Sequence, residues 1–135
     1  MRAFLDANVL FSAALGGSTF TLLWDLSSAQ KVELMTSNYC SAEARENLSR
    51  KAPRQLPRFR RLLKSVAVVP APAIEASLSH RGLPTKDLPV LAAAIAASAD
   101  VLITGDLRHF GHLMKRKDLG IRVCTIREFL LEGPG

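Results

Sequence analysis

Phe4-Leu5-Asp6-Ala7-Asn8-Val9-Leu10 sets a carboxylate between an apolar strand pattern, Arg2 to Leu5, and a helical turn or short helix, Asn8 to Leu15. A charge beside a buried run requires compensation. The arrangement returns at Val101-Leu102-Ile103-Thr104, a strand from which Gly105-Asp106 turns the chain out. Between and beyond these two stretches, Val32 to Thr36, Val66 to Val69 and Ile121 to Thr125 read as further strands. Strands alternating with helical patterns at this spacing imply βαβ units, and so an α/β fold whose mostly parallel sheet of about five strands is covered on both faces.

The helical segments follow from caps and apolar spacing. Ser18 serves as N-cap of a helix to about Ala29, with Phe20, Leu23, Trp24 and Leu26 inward. Ser37 or Asn38 caps the next, which runs to about Arg50 and carries Glu43 and Glu46 on nearly the same face. Pro53 and Pro57 interrupt the following segment, beyond which Phe59, Leu62, Leu63 and Val66 keep helical spacing. A helix from about Ala73 to His80 ends at Gly82. Asp87 to Ala99 places Leu88, Leu91, Ala92, Ile95 and Ala96 on one stripe. A basic helix follows Asp106, and Ile126 to Leu131 forms the last one.

Composition bounds the rest. The 135 residues suit one domain, 1–135, and 48% hydrophobic with 22% charged residues is a folded composition. Aromatics are only 6%, so the core is aliphatic. Cys40 and Cys124 form neither a disulfide framework nor a zinc pattern and read as small buried hydrophobes in a reducing compartment. No basic leader with an apolar region follows Met1, and no apolar stretch reaches spanning length, so the expected location is the cytoplasm.

The net charge of +6 is concentrated. Eight basic residues lie between Arg45 and Lys64 against the single acid Glu46, and a second cluster runs from Arg108 through Lys115, Arg116 and Lys117 to Arg122. Solvated helix faces carry such runs too, but both segments are candidates for contact with a polyanion. Four acids stand where strands end or helices begin: Asp6, Glu43, Asp87 and Asp106. Singly, Asp87 is an ordinary first-turn acid, Asp106 an ordinary turn residue, and Glu43 an ion-pair partner no better placed than Glu46. In a parallel sheet, however, chemistry gathers beyond the carboxyl ends of the strands where strand order reverses. If the first and fourth strands are neighbours, Asp6, Asp87 and Asp106 meet at one rim. Oxygen ligands converging there favour magnesium or manganese over zinc.

The opening Phe4-Leu5-Asp6-Ala7-Asn8-Val9-Leu10, Thr36-Ser37 with Glu43 in the next helix, Lys86-Asp87 with its alanine-rich helix, and Ile103-Thr104-Gly105-Asp106-Leu107-Arg108-His109-Phe110 together resemble PIN-domain ribonucleases over nearly the whole chain. The resemblance implies a PIN-like three-layer α/β/α sandwich. It also implies an acidic quartet of Asp6, Glu43, Asp87 and Asp106 around one or two Mg2+ or Mn2+ ions, with Asn8 and Thr104 in support. Many relatives carry a further acid just after the last aspartate, where this chain has Leu107-Arg108-His109-Phe110.

Such a site hydrolyses RNA by activating water and neutralising phosphodiester charge, with no protein nucleophile. Arg108, His109, Lys115, Arg116 and Lys117, nearest Asp106 in sequence, are the candidate RNA contacts. His109 and His112 are poorer candidates as metal ligands than as surface or phosphate-contacting imidazoles. Small PIN domains of this length resemble the VapC-type toxin of a toxin–antitoxin pair, which implies a cognate antitoxin and a homodimer. Two rivals stand beside this reading. One is a haloacid-dehalogenase-like phosphatase, against which Asn8 replaces the needed general acid; the other is a catalytically silent RNA- or partner-binding PIN relative.

Overall fold

Five short strands form one sheet in the computed structural model, which describes residues 1–72, 83–116 and 118–132. They are β1 (Arg2–Leu5), β2 (Glu33–Ser37), β3 (Val66–Val69), β4 (Val101–Ile103) and β5 (Arg122–Cys124), in the order β3-β2-β1-β4-β5. All four pairings are parallel, with Phe4 opposite Met35 on one side and Leu102 on the other. The central strands read as unbroken apolar runs because both faces are covered: Ala3, Phe4, Leu5, Leu102 and Ile103 are fully buried. At the edge, β3 leaves Ala67 and Val68 exposed. Strand order reverses between β1 and β4, so the condition for Asp6 and Asp106 to share a rim is met.

Seven α-helices flank the sheet among the described residues, giving the three-layer α/β/α arrangement. They are α1 (Ala7–Leu15), α2 (Ser18–Ser28), α3 (Asn38–Lys51), α4 (Leu56–Leu63), α5 (Leu88–Ala96), α6 (Leu107–Phe110) and α7 (Ile126–Glu132). Phe4, Phe59, Phe110 and Phe129 are buried with Leu10, Leu23, Leu48 and Leu91 in one continuous core. Each such side chain contributes about 1.5–3 kcal/mol by leaving water. Both cysteines are free and buried. No single described helix is long and apolar enough to cross a membrane.

Local departures from the sequence reading have physical causes. Gly16 and Gly17 take φ of 101° and 131°, a region closed to most side chains, and the turn they make puts Gly17 at the N-cap of α2; Ser18 is already helical and caps nothing. Ser37, rather than Asn38, caps α3, accepting the Cys40 N–H at 3.1 Å. Asp87 ends a 3-10 turn, Thr85–Asp87, and α5 stops at Ala96, since Ser98 at φ 56° must reverse the chain into β4. The last turn of α5 emerges from the core, leaving Ile95 and Ala96 exposed while Val90 to Ala94 are buried. The basic helix after Asp106 is only the four residues of α6 followed by a 3-10 turn, Gly111–Leu113. The helix expected over Ala73 to His80, its Gly82 and Lys117 lie outside the described residues.

Candidate active site

Asp6 leaves β1 with its backbone N–H bonded to Ile103 of β4 at 3.0 Å, so the two strand ends are fastened where the acids emerge. Only 5% of Asp6 is exposed, yet its carboxylate is well supplied with donors. Oδ1 accepts the Ala7 N–H at 2.7 Å, which makes Asp6 the N-cap of α1. Oδ2 accepts the Thr104 hydroxyl at 2.7 Å and the Asn8 amide at 3.1 Å. Thr104 is saturated in turn: having given its proton to Asp6, its oxygen accepts the Asp106 N–H at 3.1 Å and the Asn8 amide at 3.3 Å. The Asn8 carbonyl oxygen accepts the Gly105 N–H at 2.8 Å. A Cβ on Gly105 would stand 3.2 Å from that oxygen, so glycine is what lets the loop close down.

The other acids line an open crevice of about 430 Å³ with Asp6, and they come from three further elements. Glu43 faces it from α3, where Glu43, Asn47 and Lys51 form one stripe at helical spacing. Glu46 is not among the lining residues, which separates two glutamates that sequence spacing leaves equivalent. Asp87 enters from the turn before α5 and Asp106 from the end of β4. Asp106 caps α6 by accepting the His109 N–H at Oδ1, 3.1 Å, and this returns the His109 ring over the acids. Its Nδ1 lies 2.8 Å from Asp106 Oδ2 and 3.0 Å from Asp87 Oδ2. Asp87, Asp106 and His109 thereby offer three ligand atoms within 4.8 Å of one another. His109 thus lies within the acid cluster, where the sequence reading made it an RNA contact and a poor ligand.

Clustering shows in the acidities. Burial pushes the Asp6 carboxyl up from 3.8 to about 6, opposed by the Thr104 and Ala7 hydrogen bonds and aided by the charges of Glu43 and Asp87. Glu43 is raised by burial and by Asp87, with Lys86 opposing. Asp87 is raised by burial, while His109 pulls it down and Asp106 pushes it up. Burial, followed by the nearby Asp6 charge, holds the Cys40 thiol up at about 12, so this sulfur 3.9 Å from Asp6 is no nucleophile.

The basic residues fall into two groups. Lys51 and Lys86 line the crevice itself, with Phe11 and Ser12 of α1 as its apolar and hydroxyl wall. From sequence, Lys51 is only one of the basic residues between Arg45 and Lys64 and Lys86 only the neighbour of Asp87, although the Glu43-Asn47-Lys51 stripe is visible once α3 is assigned. Arg108 is exposed on α6 beside the cluster. Lys115 and Arg116 instead line a separate concavity with Asp100, Ile121 and Arg122, at the amino ends of β4 and β5. Arg116 is paired there with Asp118 through two contacts, one of them 2.8 Å. Despite their nearness to Asp106 in sequence, the chain crosses the height of the sheet before reaching them. Lys117 is outside the described residues.

The family model of the PIN domain matches residues 2–108. No curated protein matches the chain. Among solved structures, VapBC2 from Rickettsia felis bound to a DNA fragment from their promoter contains a chain similar in fold, with a TM-score of 0.68 and 18% identity over 91% of this chain and 97% of that one. VapBC-1 from nontypeable Haemophilus influenzae gives a TM-score of 0.62 and 17% identity over 94% and 99%.

Proposed function

The chain belongs to the PIN-domain family, and from that premise we propose that it is a Mg2+- or Mn2+-dependent endoribonuclease, the toxin of a toxin–antitoxin pair. One observation carries the reading: Asp6, Glu43, Asp87 and Asp106 converge on one crevice at the carboxyl ends of β1 and β4, with Lys51 and Lys86 on its walls. The donor set fits a hard cation, since carboxylates dominate it and the enclosed Asp87 Oδ2 has no hydrogen-bond partner among the described residues. These four acids hold the ion, with Asn8 and Thr104 as the polar support. When bound, it supplies an acidified water and neutralises charge on phosphodiester oxygens.

The protein's own part is positioning. Thr104 and Asn8 fix the Asp6 carboxylate before any ion arrives, so it need not reorganise. Lys51 and Lys86 meet the substrate backbone as it enters, and Phe11 offers a face on which a base can rest. Arg108 extends the contact at the rim. An open crevice with this lining suits single-stranded or looped RNA, whose backbone bends to the acids. Lys115 and Arg116, across the sheet, serve a second stretch of RNA or a partner. Against the phosphatase alternative, position 8 carries a carboxamide, which has no acidic proton to give, and its amide is bonded to Asp6 and Thr104.

The structural neighbours are VapBC assemblies, which supports an antitoxin partner; its seat over this crevice, a homodimer of the toxin and a cytoplasmic location are further parts of the proposal. The test is incubation of purified protein with labelled single-stranded RNA and Mg2+ or Mn2+. Cleavage is expected, with a fall in Asp6→Asn and Asp106→Asn greater than the roughly 10–100-fold that loss of a mere supporting partner costs. Cleavage surviving both substitutions would sink the site. Salt-sensitive binding without cleavage in either metal would establish the silent RNA-binding relative instead.

A further inference from the structure

His109 stands where an oxygen-only cation site has no use for it. Its Nδ1 is enclosed and so is Asp87 Oδ2, and neither makes an aligned hydrogen bond within the described residues although they lie 3.0 Å apart. The third atom, Asp106 Oδ2, is 2.8 Å from the same nitrogen. Ion pairs held by hydrogen bonds point the N–H at the acceptor; these three atoms crowd together without doing so. Their spacing has another explanation. Ligands on adjacent corners of an octahedron with bonds of about 2.1 Å are separated by about 3 Å. Nitrogen and oxygen atoms converging at that distance, unaligned with one another, have the arrangement of neighbouring ligands to one ion.

The backbone holds the imidazole in this place. Asp106 caps α6 through the His109 N–H, so the residue that supplies one carboxylate oxygen also sets the ring beside it. The ring is only 24% exposed, and its neighbours in α6 divide the other tasks, Phe110 in the core and Arg108 toward solvent. We propose that His109 Nδ1 is a nitrogen ligand of the divalent cation, sharing it with Asp87 and Asp106, and that it tilts the site toward Mn2+ over Mg2+. An imidazole gains little from magnesium, which prefers oxygen, and more from first-row transition ions. This rests on the reading of the crevice as a cation site, which the same experiment checks separately.

The experiment is Mn2+ and Mg2+ titration of the purified protein by calorimetry, with pulsed electron paramagnetic resonance of bound Mn2+ to detect a directly coordinated nitrogen. Wild-type protein is expected to bind Mn2+ more tightly than Mg2+ and to show nitrogen coupling. His109→Ala should lose the coupling and bind Mn2+ roughly tenfold or more weakly, at least the cost of losing a supporting partner. His109→Asp restores an all-oxygen set, and its preference should move back toward Mg2+ with the coupling absent. Circular dichroism checks that both variants fold. Mn2+ binding without nitrogen coupling, or unchanged or tighter binding in His109→Ala, would overturn the assignment and leave His109 as a counter-charge. Failure of the wild type to bind either ion would overturn the cation site itself.

Discussion

Around Asp6, the polar side-chain atoms of Asn8 and Thr104 have partners at 2.7–3.3 Å, and the carboxylate receives three donors from them and from Ala7. Across the same crevice, Asp87 Oδ2 and His109 Nδ1 are enclosed and close, yet unaligned. The first half is complete as a protein structure. The second leaves both atoms without an aligned partner among the described residues. Carboxylates of similar type therefore differ in their surroundings: Asp6 is held by donors from both strand ends, while Asp87 and Asp106 meet at His109, and on the proposed reading it is they that close on an ion. On the proposed reading, the preorganised side would let the crevice take a cation without refolding around it.

The sharpest way to break this contrast is through pH in the absence of metal. Asp6 is raised from 3.8 to about 6 in the folded protein, so between those values the folded chain keeps a proton that the unfolded chain has lost. The Asp6 contribution to stability is then greatest at and below about pH 4 and is lost as pH climbs through 6, by up to about 3 kcal/mol for the full shift. Glu43 and Asp87, also raised, add in the same direction. Urea denaturation with a chelator present should show the fall, and Asp6→Asn should flatten it. A metal-free protein that gains stability over this window would contradict the account of Asp6.

A smaller effect separates support from coordination. Thr104→Val keeps the shape but removes a hydroxyl that serves Asp6, Asn8 and Asp106 together. Expected are a loss of about 1–3 kcal/mol in stability from unpaired buried groups, and an RNA cleavage rate lower by about 10–100-fold. If cleavage falls while stability is untouched, Thr104 acts on substrate directly and the hydrogen-bonded half of the crevice is misread.

Sequence carried some of this and not the rest, for reasons visible in single residues. Asp6 could be found because an acid after an apolar strand has few structural excuses, and parallel strands could be read from the alternation of strand and helix patterns. The adjacency of those two strands could only be stated as a condition, since strand order depends on long-range pairing that local pattern does not encode. Glu43 and Glu46 share a helical face at the resolution of spacing, and only the packing of α3 against α1 decides which one meets the crevice. His109 reads from sequence as a phosphate contact, because the cap through which its ring returns to Asp106 is not announced there. Lys115 and Arg116 show the opposite limit, since closeness to Asp106 along the chain is not closeness in space. Ile95 fits the apolar stripe of α5 but lies on a turn that has left the core.

The most direct measurement of the central claim is anomalous scattering from a crystal of the protein grown or soaked with Mn2+. The account predicts a manganese peak in the crevice at bonding distance from Asp87 and Asp106, with Asp6 still held by Thr104 and Asn8. A protein that cleaves RNA in Mn2+ while the crevice shows no manganese, or shows it bound away from these acids, would contradict it.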